Sequence, residues 1–305
     1  MNDVINCAIV GAGPAGLTTA IYLARSGMTP LVISGDKPGG QLVNTDMVEN
    51  YPGFESIRGV DLMMSMLTQA EKLGTKFEYE SVDKISLSRG IFESTLSSGK
   101  IIKSKTIIIA TGAKHRHLFV PGEEVFTNKG VSWCATCDGP MYKGKKVAVI
   151  GGGNTAAMEA LFLSNLASEV LLIHRRDSLR AEKVTQEKLF AKANIKCIWD
   201  SVVTEILGDS RVTSIGLKNI VSNEEITCNV DGVFVAIGTT PQSAIVKELV
   251  GIDDDGYIIA ENTKTSCPGL FAAGDVVSGS LKQAIYAAGQ GAFAAKCIEG
   301  FLGIC

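Results

Sequence analysis

The chain has 305 residues, of which 46% are hydrophobic, and its formal net charge is −3. This balance argues against a nucleic-acid-binding protein, which would carry a strong basic excess. No apolar run approaches the ~20 residues that a membrane span needs, and the N-terminus lacks the basic and apolar regions of a signal peptide. We therefore interpret the chain as a soluble, cytoplasmic protein of about two domains.

The first predicted unit is a buried strand over residues 4–10 followed by a glycine motif and a helix. The motif contains Gly11, Gly13 and Gly16 in GxGxxG spacing. In this arrangement the first glycine makes the turn, the second lets a pyrophosphate approach the backbone, and the third permits close helix packing. The unit predicts a dinucleotide site.

The second strand of that unit, Leu31–Ile33, is followed by Ser34 where an acidic residue is common. The nearest acid is Asp36, two residues further on. An acid at this position binds the adenosine ribose. We therefore take Asp36 as the candidate for this role, although it lies two residues beyond the usual position.

Further elements follow before residue 113. Residues 59–73 predict an amphipathic helix, and short alternating segments from 76 to 105 predict a β-meander. A separate buried strand over residues 106–110 then ends at Thr111 and Gly112.

Cys134 and Cys137 form the only CxxC of the chain, and Asp138 follows directly. Such a pair can close and reopen a small disulfide ring, and the adjacent acid can donate a proton to the sulfur that leaves when the ring opens. A structural zinc site would need a second close-spaced Cys/His pair, which the sequence lacks. The remaining cysteines are scattered and are predicted to be small buried hydrophobes: Cys7, Cys197, Cys228, Cys267, Cys297 and Cys305.

The strand–glycine–helix pattern then recurs. Lys146–Ile150 is a buried strand, residues 151–156 read GGGNTA, and a helical pattern and another strand follow. The strand at 233–237 ends at Gly238, as the earlier one ends at Gly112. Two such units predict two bound dinucleotides.

Basic residues take the place of the ribose-binding acid in the second unit. The stretch is His174, Arg175 and Arg176, with Arg180 one turn further on. Guanidinium groups bind phosphate in a bidentate manner, so this position predicts a 2′-phosphate and hence NADPH rather than NADH. A solvated basic turn is the alternative.

The last segment contains a strand ending at Gly274 and Asp275 and a helical pattern over about 281–301. It has no glycine motif of its own, and we predict that it completes the first unit. The fold class is thus α/β, with two Rossmann-like (three-layer ββα) domains. One domain is discontinuous (1–113 and 244–305), and the other (114–243) is inserted into it.

With these motifs in place, the chain closely resembles the low-molecular-weight thioredoxin reductases of the bacterial and plant type. The shared motifs run nearly end to end: GAGPAG, GGQL, ENYPG, ATG, CATCDG, GGGNTA, HRRD, AIG, AAGD and QAI. One departure is Thr239-Thr240-Pro241 after AIG, where the family commonly has HSP.

The resemblance implies FAD in the discontinuous domain and NADPH in the inserted one. The FAD positions are Gly11, Gly13, Gly16, Gly40, Gln41, Asn50, Thr111, Gly112, Asp275, Gln283 and Ala284, with Asp36 as the ribose candidate. The NADPH positions are Gly153, Asn154, Thr155, His174, Arg175, Arg176, Arg180, Ile237 and Gly238.

The resemblance also implies the reaction and the assembly. NADPH reduces the flavin, the reduced flavin opens the Cys134–Cys137 disulfide, and Cys134 attacks the disulfide of thioredoxin. Cys137 faces the flavin, and Asp138 serves as proton donor with a raised pKa. The implied assembly is a homodimer.

Sequence order adds a hypothesis about motion. The CxxC and the NADPH motif lie on the inserted domain, whereas the flavin belongs to the other. If both must reach the flavin in one cycle, the inserted domain has to rotate about its two crossings.

Three alternatives stay open. The first is a flavoprotein reductase for another thioredoxin-like or peroxidase partner; its fused form would carry an extra N-terminal region, and Met1 lies close to Gly11. The second is a flavin-dependent dithiol oxidase, which would not need the arginines of the second unit. The third is a non-enzymatic flavin or redox sensor.

Overall fold

The structure is a computed structural model that describes residues 4–36 and 38–304. Cys305 lies outside the described residues. The chain separates into two compact units. We call them the discontinuous unit, residues up to 114 and from 240 onward, and the nested unit, residues 115–239. The crossings predicted from the sequence lie close by, at 113–114 and 243–244.

Strands and helices alternate along both units. In chain order the strands are β1 (Ile5–Val10), β2 (Leu31–Ile33), β3 (Lys76–Glu78), β4 (Val82–Ser88), β5 (Ile91–Leu96), β6 (Ile101–Ile109), β7 (Ala113–His115), β8 (Val131–Ser132), β9 (Lys146–Ile150), β10 (Glu169–Ile173), β11 (Ile195–Ile198), β12 (Ser201–Gly208), β13 (Val212–Asn219), β14 (Glu225–Asn229), β15 (Gly232–Val235), β16 (Thr239–Pro241) and β17 (Leu270–Ala272). The helices are α1 (Pro14–Arg25), α2 (Gly59–Lys72), α3 (Ala135–Asp138), α4 (Asn154–Ser164), α5 (Lys183–Phe190) and α6 (Ala284–Phe301).

The discontinuous unit has three layers around one sheet of order β3-β2-β1-β6-β5-β4, with β17 also paired to β6. Side chains alternate along β1, as the period of two along a strand requires. Cys7 and Ile9 pack against α1, α2 and α6. Ala8 and Val10 pack on the opposite side, in the core that contains Phe92 of the meander.

Two details of this sheet differ from the sequence prediction. β6 is one continuous strand from Ile101 to Ile109, whereas a meander strand and a separate buried strand were predicted there. Its first residues pair antiparallel with β5 and its last ones parallel with β1 and β17. β3 is not part of the meander, because it pairs parallel with β2 at the other edge.

The nested unit repeats the three-layer plan. A parallel sheet of order β11-β10-β9-β15-β8 lies beside an antiparallel sheet of order β12-β13-β14. Val147 and Val149 of β9 share a core with α4. Ala148 and Ile150 point the other way, into a core with residues of β12 and β13. The predicted class, α/β with two Rossmann-like units, is confirmed.

The two crossings between the units are short strands, β7 and β16, which pair with each other as a two-stranded sheet. In residues 4–36 and 38–304, no helix is both long and apolar enough to cross a membrane.

The cysteines outside the CxxC divide into two groups. Cys7 and Cys267 are buried, as predicted, whereas Cys197, Cys228 and Cys297 are only half-buried. Burial raises the pKa of Cys7 to about 12, so this thiol is chemically inert at neutral pH.

Candidate functional site

The CxxC of the nested unit is a closed disulfide between Cys134 and Cys137, whose Cα atoms are 5.3 Å apart. Cys134 is extended and forms the N-cap of α3. Its sulfur accepts a hydrogen bond from the backbone N–H of Cys137 at 3.2 Å. When the disulfide opens, this N–H can stabilise a thiolate at Cys134, since helix N-termini lower the pKa of a thiol.

The segment before the disulfide is held by Ser132. The backbone nitrogen of Cys134 donates to the Ser132 hydroxyl at 3.1 Å, and that hydroxyl donates back to the Cys134 carbonyl oxygen at 3.4 Å. Ser132 is buried. The Ser132 hydroxyl therefore holds the backbone of Cys134 at both its nitrogen and its carbonyl oxygen.

Asp138 lies in the same short helix as the cysteines. Its backbone nitrogen donates to the Cys134 carbonyl oxygen at 3.1 Å, and the residue is half-buried. Burial raises the pKa of the neighbouring Tyr142; Arg211 opposes the rise, and the Asp138 charge adds to it. The role of Asp138 as proton donor stays a prediction.

Glu159, on α4, is a site residue that was not predicted from the sequence. Its Oε1 atom accepts from the backbone nitrogen of Ala135, and its Oε2 atom is buried without a partner among the described residues. Burial raises its pKa to about 7, opposed by the Ala135 hydrogen bond. One signal was available: Glu159 is an acid within an otherwise buried apolar helix face that includes Ala156, Ala160 and Leu163.

The glycine motif of the discontinuous unit has one open position and two packed ones. A Cβ on Gly11 would lie 2.2 Å from the Ala110 carbonyl oxygen, and one on Gly16 would lie 2.0 Å from the Gly11 carbonyl oxygen. A Cβ on Gly13 would meet nothing within 4 Å. Gly13 also forms the N-cap of α1 and offers no side chain to cap its N–H groups. This cradle fits a pyrophosphate.

Other predicted residues of this unit surround the glycine motif. Gly39 donates its backbone N–H to the Ala12 carbonyl oxygen at 2.9 Å, and a Cβ on Gly40 would lie 3.5 Å from the Gly13 Cα. The Gln41 side chain donates to the Ala113 carbonyl oxygen. Residues 39–41 are thereby brought to the end of β1.

Chain segments far apart in sequence also meet within this unit. Asn50 donates to the Gln283 side chain at 3.0 Å, at the N-cap of α6 that Ala284 begins. The Thr111 hydroxyl donates to the Gln242 carbonyl oxygen at 2.6 Å, and Gln242 donates its N–H to the Gly112 carbonyl oxygen at 2.9 Å. Gln242 was not predicted.

Asp275 and Asp36 differ in their surroundings. Asp275 follows β17, and burial raises its pKa, opposed by Lys282. A half-buried carboxylate of this kind suits a ligand hydroxyl. Asp36 is exposed beyond the end of β2. The Ser34 hydroxyl donates to the Gly35 carbonyl oxygen at 2.8 Å.

The second glycine motif has the same open position. A Cβ on Gly153, the N-cap of α4, would meet nothing within 4 Å, whereas one on Gly151 would lie 2.4 Å from the Ala236 carbonyl oxygen. Gly151 and the strand that leads to Ile237 and Gly238 are thus in contact. The Gly238 carbonyl oxygen in turn accepts a hydrogen bond from the Arg116 N–H at 3.0 Å.

His174 is placed differently from the arginines that follow it. It is buried, and a Cβ on Gly152 would lie 2.3 Å from its ring. Its Nε2 atom is buried with no partner among the described residues. Burial lowers its pKa, and the Arg180, Arg176 and Arg175 charges lower it further. The buried His174 ring therefore packs directly against the glycine loop.

Arg175, Arg176 and Arg180 are exposed. The backbone nitrogen of Arg180 donates to the Gly152 carbonyl oxygen at 2.7 Å, which brings this segment to the glycine loop. The side chain of Asn154 accepts from the Glu182 N–H at 2.7 Å, and Thr155 is exposed beside it. The open glycine and the exposed guanidinium groups fit a phosphorylated dinucleotide.

Comparison with known proteins agrees with this geometry. Residues 5–291 match the family described as pyridine nucleotide-disulphide oxidoreductase. A thioredoxin reductase of Rickettsia bellii is 49% identical over 300 residues, covering 96% of this chain and 97% of that protein. One from Streptomyces coelicolor is 44% identical over 306 residues, covering 99% and 95%. The crystal structure of thioredoxin reductase from Streptococcus pyogenes is 40% identical, covers 99% of both chains and has a TM-score of 0.94.

Proposed function

The chain belongs to the pyridine nucleotide-disulphide oxidoreductases, and among them to the thioredoxin reductases, and on this premise we propose that it reduces the disulfide of thioredoxin with electrons from NADPH. The observation that carries the proposal is the Cys134–Cys137 disulfide on the same unit as the arginine-flanked glycine loop. The N–H of Cys137 on the Cys134 sulfur supports the choice of Cys134 as the attacking group.

The proposal assigns one cofactor to each unit. FAD is held in the discontinuous unit by the open backbone at Gly13 and by the half-buried carboxyl group of Asp275. NADPH is held in the nested unit by the open backbone at Gly153 and by Arg175, Arg176 and Arg180. When bound, the two cofactors supply the pair of electrons that opens the Cys134–Cys137 bond.

The exchange itself is carried out by side chains of the chain. The Cys134 thiolate attacks one sulfur of the partner disulfide, and the other partner sulfur leaves as a thiolate. The Cys137 thiolate then attacks the Cys134 sulfur, which re-forms the disulfide and releases the second partner sulfur as a thiolate. Asp138, in the same helix, is proposed to donate and recover a proton during these steps.

We also propose that the nested unit rotates during the cycle. The proposal rests on chain organisation: the disulfide and the arginines belong to the nested unit, and the FAD residues belong to the discontinuous one. The two crossings, β7 and β16, are the natural hinge, since hinges lie in short connecting segments. An engineered covalent crosslink between the units should block steady-state turnover, and full turnover of the crosslinked protein would contradict the rotation.

Two further assignments complete the proposal. Five cysteines of the described residues are free thiols, which suits a reducing compartment, and we assign the chain to the cytoplasm. We assign a homodimer on the resemblance to the family, and sedimentation of the purified protein tests that state.

The function is tested with purified full-length protein, thioredoxin and either NADPH or NADH. We expect thioredoxin thiols to appear with NADPH, with oxidation of one NADPH per disulfide reduced, and far more slowly with NADH. An absence of thioredoxin reduction with both nucleotides would overturn the proposal.

A further inference from the structure

Phe119 is a large apolar side chain that the nested unit leaves in solvent. It is 88% exposed, and its backbone lies in the left-handed region with φ of 58°. A bulky residue rarely adopts this conformation, which favours glycine or asparagine. Two unfavourable features therefore occur at one residue: a left-handed backbone conformation and a solvent-exposed apolar ring.

A buried carboxylate holds this conformation. Glu123 is buried, and its Oε1 and Oε2 atoms accept the backbone N–H groups of Leu118 and Phe119 at 2.9 and 2.7 Å. The Nδ1 atom of His117 lies 3.3 Å from the same carboxylate. Glu123 thus contacts three consecutive residues, 117–119, and these charge-assisted hydrogen bonds fix the backbone position of Phe119.

Ring contacts connect Phe119 to the redox-active segment. The ring centres of Phe119 and His117 are 5.8 Å apart, and those of His117 and Trp133 are 5.1 Å apart. His115 stacks on the same Trp133 at 5.9 Å. Trp133 immediately precedes Cys134 and donates its indole N–H to the Arg116 carbonyl oxygen at 3.3 Å. These four rings, which we call the aromatic surface, form an unbroken series of ring contacts that ends at Trp133, the residue before Cys134.

Thiol–disulfide exchange determines what must cover this surface. The partner sulfur has to come within about 2 Å of the Cys134 sulfur to form the mixed disulfide. The partner therefore touches the residues next to Cys134, and Trp133 and the rings beyond it are continuous with that contact. Aromatic side chains supply much of the binding energy in such interfaces.

We propose that the aromatic surface is the docking site for the disulfide-bearing face of the thioredoxin partner, with Phe119 as its anchor. The proposal rests on the proposed function. It names a recognition element that takes no part in the electron transfer itself, because Phe119 acts only on the approach of the partner.

The test compares Phe119→Gly and Phe119→Asn with the wild-type full-length enzyme. Both replacements suit a positive φ, so thermal stability should not fall. We expect the KM for thioredoxin to rise about tenfold or more. The reduction of Cys134 and Cys137 by NADPH without thioredoxin, followed by thiol alkylation and mass spectrometry, should be unchanged.

Val221→Ser is the matched control, because Val221 is also a large exposed apolar residue of the nested unit, at 74% exposure. It should leave the KM for thioredoxin unchanged. If Phe119→Gly also leaves it unchanged, the docking site is overturned and the proposed function stands. If Phe119→Gly instead changes the sedimentation state, the surface binds a second copy and the docking site is again overturned. Wild-type protein that reduces no thioredoxin overturns both proposals.

Discussion

The Oε1 atom of Glu159 lies 3.5 Å from the backbone nitrogen of Ala135, the first residue of the helix that carries the disulfide. The other carboxyl oxygen has no partner among the described residues. Because burial raises the pKa of this group to about 7, the chain holds a carboxyl group beside its cysteines that changes charge near neutral pH.

Glu159→Gln should therefore change how stability depends on pH. The folded pKa of Glu159 is raised from its ordinary value of 4.5 to about 7. Between these values the folded protein binds the proton more tightly than the unfolded chain does, so the free energy of unfolding falls as the pH rises through this range and then levels off. We expect the variant to gain ~2–3 kcal/mol relative to wild type between pH ~5 and pH ~8.

Thermal unfolding at the two pH values measures this difference. The exposed Glu187, on α5 of the same unit, provides the control Glu187→Gln, which should show no such trend. If the stability difference between Glu159→Gln and wild type is the same at both pH values, the raised pKa of Glu159 is contradicted.

Gly13→Ala and Gly153→Ala should separate the two cofactors. Each new methyl group would project into open space, so both variants should fold with stability changes within ~0.5 kcal/mol. The same methyl groups would occupy the space proposed for a pyrophosphate. Gly13→Ala should weaken FAD binding alone, and Gly153→Ala should weaken NADPH binding alone. Flavin content after purification and NADPH titration measure the two effects, and equal losses of both cofactors in either variant would contradict the assignment.

Gly152→Ala should lower the stability of the protein, unlike Gly153→Ala. Its methyl group would overlap the His174 ring, which lies 2.3 Å from the ideal Cβ position. We expect a loss of ~1–3 kcal/mol in the free energy of unfolding, because an added methyl group in a filled site forces its neighbours to move. Denaturant unfolding followed by Trp199 and Trp133 fluorescence reports on the nested unit. Wild-type stability would show that the loop can move away from the ring.

Cys134→Ser and Cys137→Ser should each abolish thioredoxin reduction. Either change removes the disulfide, whereas the proposed FAD residues belong to the other unit, so flavin content should stay at the wild-type level. Cys228→Ser, which replaces a free cysteine of the nested unit, is the control and should retain activity. Residual turnover in Cys134→Ser would indicate that Cys137, and not Cys134, attacks the disulfide of thioredoxin.

The double change Arg175→Ala and Arg176→Ala should alter the choice of nucleotide. Each lost charge-assisted contact with a phosphate costs ~1.5–3 kcal/mol, or a factor of about 10 to 150 in affinity. The KM for NADPH should rise accordingly, while that for NADH stays nearly constant. Lys188→Ala, at an exposed position in the last turn of α5, controls for charge alone. Equal increases for both nucleotides would place the arginines outside the 2′-phosphate site.

Local features of the chain were readable from the sequence. The two glycine motifs follow short apolar strands and precede helices, and periodicity with glycine spacing reveals such units because neighbouring residues decide them. The same holds for the CxxC, whose two-residue spacing permits a disulfide in a single helical turn. The strand after Gly99 was harder: β6 was divided in two by the prediction, because its halves pair with different partners.

Only the tertiary structure decided the surroundings of particular side chains. His174 belongs by sequence to a basic stretch, yet the adjacent glycine loop lies over its ring, and burial lowers its pKa. Glu159 meets Ala135, 24 residues away, and Phe119 is exposed because Glu123 fixes the backbone that carries it. Spacing along the chain determines which residues share a strand or a helix face, whereas burial, pKa and exposure depend on segments that meet only after folding.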